Sequence, residues 1–412
     1  MFKRKQIFLL FALFTLSFLL VLIVLIKKLP STESKVKIKV NNIEELILEE
    51  AHQLSNYFKT KRSINETAIK IFINELNKIV ISKNTTEPLW NIARSWVSKT
   101  QLYNMSSIYL GDVIYALKSN KILKADIDSR GTQLKLFLTL EGNQGAIFKP
   151  KWYNKEKIIH GPVYSGKDRY NSEIVAFYLS GILQKPLVPP CSIRKISLQK
   201  DIRPVATARL KDTIIFVNET TCVYGICYYC NEKEPACEEN GLLTGAIILN
   251  INTTFNIYKS PWRRTYRNRK KAPWEENEHH YCQAVQNKLP EKRILDLIEV
   301  AIFDFLIQNG DRHRYETLQD TILLVDNGKG LGNPFKDHID ILAPLYQCCR
   351  LRKSMWTTLQ NLSGGRIKEY LQQMPYVYEL ITHHHLDAIE RRLLIVYATI
   401  QYCKKRDKLK LI

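Results

Sequence analysis

The chain has 412 residues, of which 45% are hydrophobic and 25% charged, and it carries a formal net charge of +21. That apolar content fills one large core or two lobes and excludes disorder beyond short linkers. The positive excess implies an acidic partner, and the first residues argue against a nuclear setting in which that partner would be nucleic acid.

Residues 7–26 are uncharged and long enough as a helix to cross a bilayer core. Lys3, Arg4 and Lys5 precede this span, and the cluster favours a cytoplasmic tail at 1–6 with the body beyond the membrane. A cleaved signal peptide is the competing reading, but Lys27-Lys28-Leu29-Pro30 offers no small-residue cleavage site. Residues 27–41 turn polar and basic and read as a stem. Asn-x-Ser/Thr sites at Asn65, Asn84, Asn104, Asn218, Asn252 and Asn361 lean towards a lumenal surface in the secretory pathway.

From 42 to 125 the pattern is helical. Asn42 and Glu45 form a capping-box spacing, and apolar periodicity recurs over 68–81, 89–97 and 108–117. This segment is expected to pack as a helical layer against the rest of the chain. Asp126-Ile127-Asp128 has the Asp-x-Asp form that glycosyltransferases use for a metal and a nucleotide sugar, a short and weakly specific motif.

Residues 134–140, a turn at 141–145 and residues 146–149 read as strand, turn and strand. Lys149 then ends a strand as a phosphate-holding lysine of a kinase does. A plain basic edge that blunts strand pairing is the alternative. The helix expected over 168–183 takes Asn171 as its cap and places Glu173 in its first turn, where an acid also suits the helix dipole. Cys222, Cys227, Cys230 and Cys237 crowd one loop. A zinc site is the rival to disulfides there, but the flanking spacings are not paired knuckles and an oxidising lumen favours bridges.

Residues 242–251 form an apolar strand. Residues 262–271 carry six Lys or Arg among aromatics, read either as a solvated charged face or as a surface for acidic glycan, acidic peptide or phosphate. Residues 294–307 repeat apolar side chains at helical spacing and stop at Asn309-Gly310. His383, His384 and His385 are consecutive on a helix and point to different faces, so they do not form one metal site.

Between the central helix and the C-terminal helices lies the run DRHRYETLQDTILLVDNGKGLG, 311–332. Phosphoryl transfer needs one carboxylate at the attacking hydroxyl and another on the cation that bridges the nucleotide phosphates. Asp311 is followed at the conventional kinase offset by Glu316, and Asp326-Asn327-Gly328 stands where Asp-Phe-Gly would be. Separately, each motif also reads as a polar turn.

DRHRYE, DNGKGLG and ILAPLYQCC at 341–349 together resemble the family-with-sequence-similarity-twenty kinases of the secretory pathway, most closely the glycosaminoglycan xylosylkinase branch. The similarity extends from about Gly131 to the C-terminal region. Arg264-Thr265-Tyr266-Arg267 matches the same branch, whereas Arg314 replaces a His common in the family.

The resemblance implies an α+β, atypical kinase-like fold of two lobes, the small lobe at 126–251 with its Cys-rich loop and the large lobe at 252–412. It implies Asp311 as catalytic base. Gln133, Lys135, Lys149, Glu316 and Asp326 would contact nucleotide, Glu173 and Asp326 the metal, and main-chain groups of Ile248, Leu249, Asn250 and Ile251 the adenine. It further implies ATP with manganese, magnesium being the alternative, and disulfides Cys222–Cys237, Cys227–Cys230, Cys282–Cys348 and Cys349–Cys403, with Cys191 left over. The expected acceptor is the 2-hydroxyl of xylose, with galactose attached, on a proteoglycan core protein. The expected setting is the Golgi membrane in single-pass type II topology with a lumenal catalytic domain. Three other readings stay open: a secretory Ser kinase, a metal-dependent glycosyltransferase, and an inactive scaffold, the last set against the retained Glu173.

Overall fold

The computed structural model describes residues 42–62, 66–78, 86–267 and 270–412. The expected tail, membrane span and stem lie outside these residues, as do Asn65 and Asn84. Among the described residues no helix is long and apolar enough to cross a membrane. Asn104, Asn218 and Asn252 are exposed and Asn361 is half-buried.

Residues 44–412 form one compact unit. Its opening helices are α1 (Ile43–His52), α2 (Thr67–Asn77), α3 (Thr86–Ser95) and α4 (Leu110–Ser119). A five-stranded antiparallel sheet comes next. Its strands are β1 (Ile122–Ile127), β2 (Leu136–Leu140), β3 (Gln144–Pro150), β4 (Cys191–Ile196) and, after a hairpin insertion, β8 (Leu243–Leu249). They lie in the order β1-β2-β3-β8-β4. β2 alternates buried and half-buried side chains more regularly than its composition suggests. The turn into β3 is Glu141-Gly142-Asn143, with Gly142 and Asn143 both at positive φ.

Between β3 and β4 runs α5 (Tyr170–Ile182), every residue of which is buried. Apolar character all round suits a helix enclosed on all sides. The sheet covers one side, and Phe72 of α2 with Tyr103 covers another through edge-to-face contacts on Phe177 at 5.9 and 5.0 Å. A Cβ on Gly181 would lie 2.2 Å from the Phe72 ring, so this close approach requires glycine. Arg169, extended at φ −101°, is the N-cap of α5, and Asn171 is not: it lies inside the first turn and donates its amide to Leu380 O at 2.7 Å.

The insertion is a small sheet of β5 (Ile214–Val217), β6 (Thr220–Val223) and β7 (Ala236–Cys237). It carries the Cys222–Cys237 disulfide, and Cys227–Cys230 closes the adjoining loop. No zinc cluster forms among the described residues, because all four sulfurs are spent in bridges. Cys191 is buried in β4 and unbonded.

The C-terminal half centres on α6 (Glu291–Ile307). It ends with Gln308 in the left-handed region at φ 58°, so the helix stops one residue before the expected Asn-Gly. Gly310 serves another purpose, since a Cβ there would lie 2.0 Å from Val163. Next come β10 (Arg314–Leu318) and β11 (Thr321–Leu323), which pair with β9 (Asn256–Lys259) in the order β11-β10-β9. Helices α7 (Ala343–Cys348), α8 (Lys353–Asn361), α9 (Arg366–Gln372) and α10 (His383–Lys405) close the fold. Disulfides Cys282–Cys348 and Cys349–Cys403 tie α7 to its neighbours. Arg392, fully buried in α10, donates to Asp337 at 2.8 Å and to the carbonyls of Leu306, Asn333 and Lys336.

Candidate active site

The three histidines diverge as helical geometry requires. His383 lies against Tyr378 and His384 against Phe335, while His385 is buried between Thr382 Oγ1 and Leu331 O, with its pKa pushed down to about 4 chiefly by burial.

The site forms where the end of β3, the start of α5 and the turn after β11 meet. Lys149 is 4% exposed, and its ammonium lies 2.5 Å from Glu173 Oε1, 2.6 Å from Asp326 Oδ1 and 3.2 Å from Asp168 Oδ2. Burial works against the ammonium charge, but Asp326, Glu173 and Asp168 outweigh it and hold the pKa well above the ordinary lysine value. In return Lys149, ahead of every other group, drives the Asp326 carboxyl far below the usual range. The Asp326 side chain is 64% exposed and projects from a backbone at φ 59°, a conformation Asp tolerates better than most residues.

Asp326 is fixed from behind by its neighbours. Asn327 is fully buried and donates to Leu324 O at 2.9 Å and to Glu173 Oε2 at 3.4 Å. Its carbonyl oxygen Oδ1 accepts from Arg312 at 2.7 Å. Arg312 also donates to Val325 O at 2.7 Å and to both oxygens of buried Asp304 at 2.6 and 2.8 Å. The Arg read as part of a polar turn is thus a buried brace between α6, the loop that follows it and the Asp326 turn.

Asp311 follows α6 and is half-buried, and burial raises its pKa above the ordinary carboxylate value. Tyr266 Oη donates a hydrogen bond to its Oδ1, and the His313 ring lies 3.9 Å from the same oxygen. Tyr266 stacks edge-on against Tyr164 at 4.9 Å, and Ser260 N donates to His313 O at 3.0 Å, so the strand leaving β9 runs along the loop. Asp326 lies close enough to raise the pKa of Asp311 further, and it does the same to Glu316 on β10, where burial is again the larger cause. Lys135 contributes to holding the Asp326 carboxyl low, and Gln133 is half-buried in the loop before β2.

On β8 the side chains of Ile248 and Leu249 are buried. The Leu249 amide is donated to Pro190 O at 2.9 Å and the Asn250 amide to Gly145 O at 3.1 Å. The Asn250 carbonyl accepts from Gln144 Nε2 at 3.0 Å and the Ile251 carbonyl from the Thr253 amide at 2.8 Å.

Four residues of this centre escaped the reading by sequence: Asp168, Tyr266, Asp304 and Arg312. Tyr266 lay within the basic run 262–271, of which 268 and 269 are outside the described residues. Arg264 in that run is an anchor, paired with Asp340 and donating to Gly310 O at 3.1 Å.

The donors here are oxygen atoms, which suit a hard divalent cation. Among the described residues no three or more His, Cys, Asp or Glu side chains are arranged to hold a metal unaided. The Lys149 ammonium instead occupies the focus of the acids. Glu173 and Asp326 fit a cation that takes its other ligands from nucleotide phosphate, the usual arrangement in phosphoryl-transfer sites.

Residues 88–411 match the family model described as Fam20C, Golgi casein kinase, C-terminal, Fam20. A Drosophila melanogaster relative, "Glycosaminoglycan xylosylkinase homolog", is 44% identical over 324 residues, covering 76% of this chain and 77% of that protein. The Homo sapiens glycosaminoglycan xylosylkinase is 42% identical, covering 78% of this chain and 81% of its own. Among solved structures, hydra Fam20 with sugar aligns with a TM-score of 0.73 at 40% identity, over 78% of this chain and 96% of that one.

Proposed function

The chain belongs to the Fam20 family, and from that premise we propose that it transfers the γ-phosphoryl group of ATP to the 2-hydroxyl of xylose in the linkage region joining a glycosaminoglycan to its core protein. The observation that carries this reading is the gathering of Glu173, Asp326 and Asp168 on one buried lysine, with Asp311 beside them. The similarity to xylosylkinases supports the sugar acceptor.

Asp311 takes the proton of the attacking hydroxyl. Burial raises its pKa above the ordinary carboxylate value, which makes it a stronger proton acceptor. Tyr266 donates to Asp311 and fixes which carboxylate oxygen faces the acceptor. Lys149 meets the phosphates, with Gln133 and Lys135 on the loop above, and Glu173 and Asp326 hold the cation, manganese or magnesium. When bound, that cation neutralises charge developing on the transferred group. Glu316 adds negative charge where conventional kinases carry a neutral Asn, which strengthens the demand for a cation. The body lies in the Golgi lumen behind an anchor at 7–26, where the exposed sequons at Asn104, Asn218 and Asn252 are accessible to glycosylation.

Asp126 and Asp128 do not favour the glycosyltransferase reading. Asp126 accepts from Arg209 and Thr207, both at 2.6 Å, and its pKa is pushed down to about 2, with Arg209 the largest cause. Asp128 is spent on Arg130 at 2.6 Å.

The test offers the enzyme ATP and Mn2+ with a galactosyl-xyloside, an acidic Ser peptide, or neither. Phosphate should appear on the sugar. Transfer to the peptide alone would move the assignment to a Ser kinase, and UDP-sugar turnover without ATP use would overturn it. Asp311→Asn should keep ADP binding while turnover falls on the order of 10²–10⁴-fold.

A further inference from the structure

Glu173 and Asp326 cannot serve the Lys149 ammonium and a divalent cation equally well, and Lys149 is too deeply buried to be left without a counter-charge. Asp168 is the third acid on that ammonium, at 3.2 Å, and it is 8% exposed. Its backbone is locked to the cation-bearing turn. The Arg169 amide donates to Gly328 O at 2.7 Å, and the Arg169 guanidinium donates to Lys329 O and, at 2.5 Å, to Gly330 O. A Cβ on Gly328 would lie 2.7 Å from Asp168 Cγ, so the turn is packed directly on the carboxylate. The other oxygen of Asp168 faces Lys329 at 3.6 Å. Enclosed in this way, Asp168 has no room to turn away from Lys149.

We propose that Asp168 is a positioning residue: it retains the Lys149 ammonium, oriented for phosphate, once Glu173 and Asp326 have turned to the cation. Charge counting supports this and rests on the phosphotransferase reading above. Three acids (Asp168, Glu173, Asp326) against two lysines (Lys149, Lys329) leave one negative charge, and a divalent cation changes that to one positive. Without Asp168 the same cluster would carry two positive charges, and Lys149 would face the cation with no carboxylate of its own.

The experiment measures ADP affinity by calorimetry, with and without Mn2+, for the wild type, Asp168→Asn, Lys149→Met and the double variant. In the wild-type background Asp168→Asn should weaken Mn2+·ADP roughly tenfold, about 1.4 kcal/mol. Metal-free ADP affinity should change less than about twofold, because Glu173 and Asp326 then still hold Lys149. In the Lys149→Met background Asp168→Asn should add less than about twofold, since its effect runs through the missing ammonium. An equal loss in both backgrounds would overturn the proposal, by assigning Asp168 to the cation or the turn itself; so would no loss in either. Asp168→Ser, smaller beside Gly328, is expected to reproduce the result if the Asn variant melts lower than the wild type. Failure of the wild type to gain ADP affinity from Mn2+ would instead remove the phosphotransferase reading on which the proposal stands.

Discussion

Replacing Arg312 with Met removes the brace under the Asp326 turn while keeping most of its apolar stem. The guanidinium makes two hydrogen bonds to Asp304 at 2.6 and 2.8 Å and one each to Val325 O and Asn327 Oδ1 at 2.7 Å. Asp304 is 3% exposed, so the variant strands a buried carboxylate. Truncating one partner of a buried pair costs about 3–5 kcal/mol, most of it the penalty on the abandoned charge. Burial already holds the Asp304 pKa above the ordinary value, ahead of the opposing pull of Arg312. A raised folded-state pKa contributes stability in acid that is lost as pH climbs through it, and losing Arg312 raises it further. The deficit of Arg312→Met should therefore be larger at pH 8 than at pH 5. Urea unfolding with the disulfides intact, followed by tryptophan fluorescence, measures it. The double variant Arg312→Met with Asp304→Leu should recover most of the loss, because no buried charge remains. A single-variant loss below about 1 kcal/mol, or a double variant no more stable than the single, would refute the assignment of Arg312 as a buried brace.

Tyr266→Phe removes a donor that lowers the pKa of Asp311, so the acid limb of the kcat/KM profile should move to higher pH while the plateau changes less; an acid limb that stays put contradicts the contact. Replacing Cys349 and Cys403 together by Ser opens a loop of 54 residues and should cost roughly 4 kcal/mol in chemical unfolding. Glu44 is pushed up to about 7, chiefly by burial and then by Asp340 and Glu278. Its contribution is present in acid and fades as pH rises from the ordinary carboxylate range through about 7, so the wild type should lose more melting temperature between pH 5 and 8 than Glu44→Gln does.

What the sequence made legible was local in origin. The helix at Glu291–Ile307 shows itself by apolar spacing, the β2–β3 hairpin by its Gly-Asn turn, and Asp311 and Asp326 by their offsets within one run of 22 residues. What it hid depends on contacts distant in sequence. Tyr266 reaches Asp311 across 45 positions, and inside a run rich in Arg and Lys it looked like part of a charged face. Arg312 looked solvated because its partners, Asp304 and Asn327, come from different elements. Asp168 sits just before a helix, where an acid is unremarkable, and only the three-dimensional packing of Gly328 against it reveals its place. The cap of α5 was misplaced for a related reason: the Asn171 side chain is drawn to Leu380 O, 209 residues away, so it cannot cap its own helix.

The ammonium of Lys149 sits at the focus of the acids that would hold the cation, and this bears on the order of binding. A cation arriving alone must compete with Lys149 for Glu173 and Asp326, and a nucleotide arriving alone must share Lys149 with the same two carboxylates. Arriving together, each removes the competitor of the other: phosphate occupies the ammonium, and the acids are released to the cation. The two ligands should therefore bind with positive coupling, and linkage requires the coupling to be equal in both directions. Mn2+ affinity, read from the paramagnetic resonance of the free ion, should rise with saturating ADP by the same factor that ADP affinity rises with saturating Mn2+. In Lys149→Met that factor should shrink, because the acids no longer have an ammonium to surrender. Mn2+ would bind more tightly to this variant in the absence of nucleotide than to the wild type, although the variant holds ADP less well. A variant weaker for both ligands would show that Lys149 organises the acids and does not compete for them.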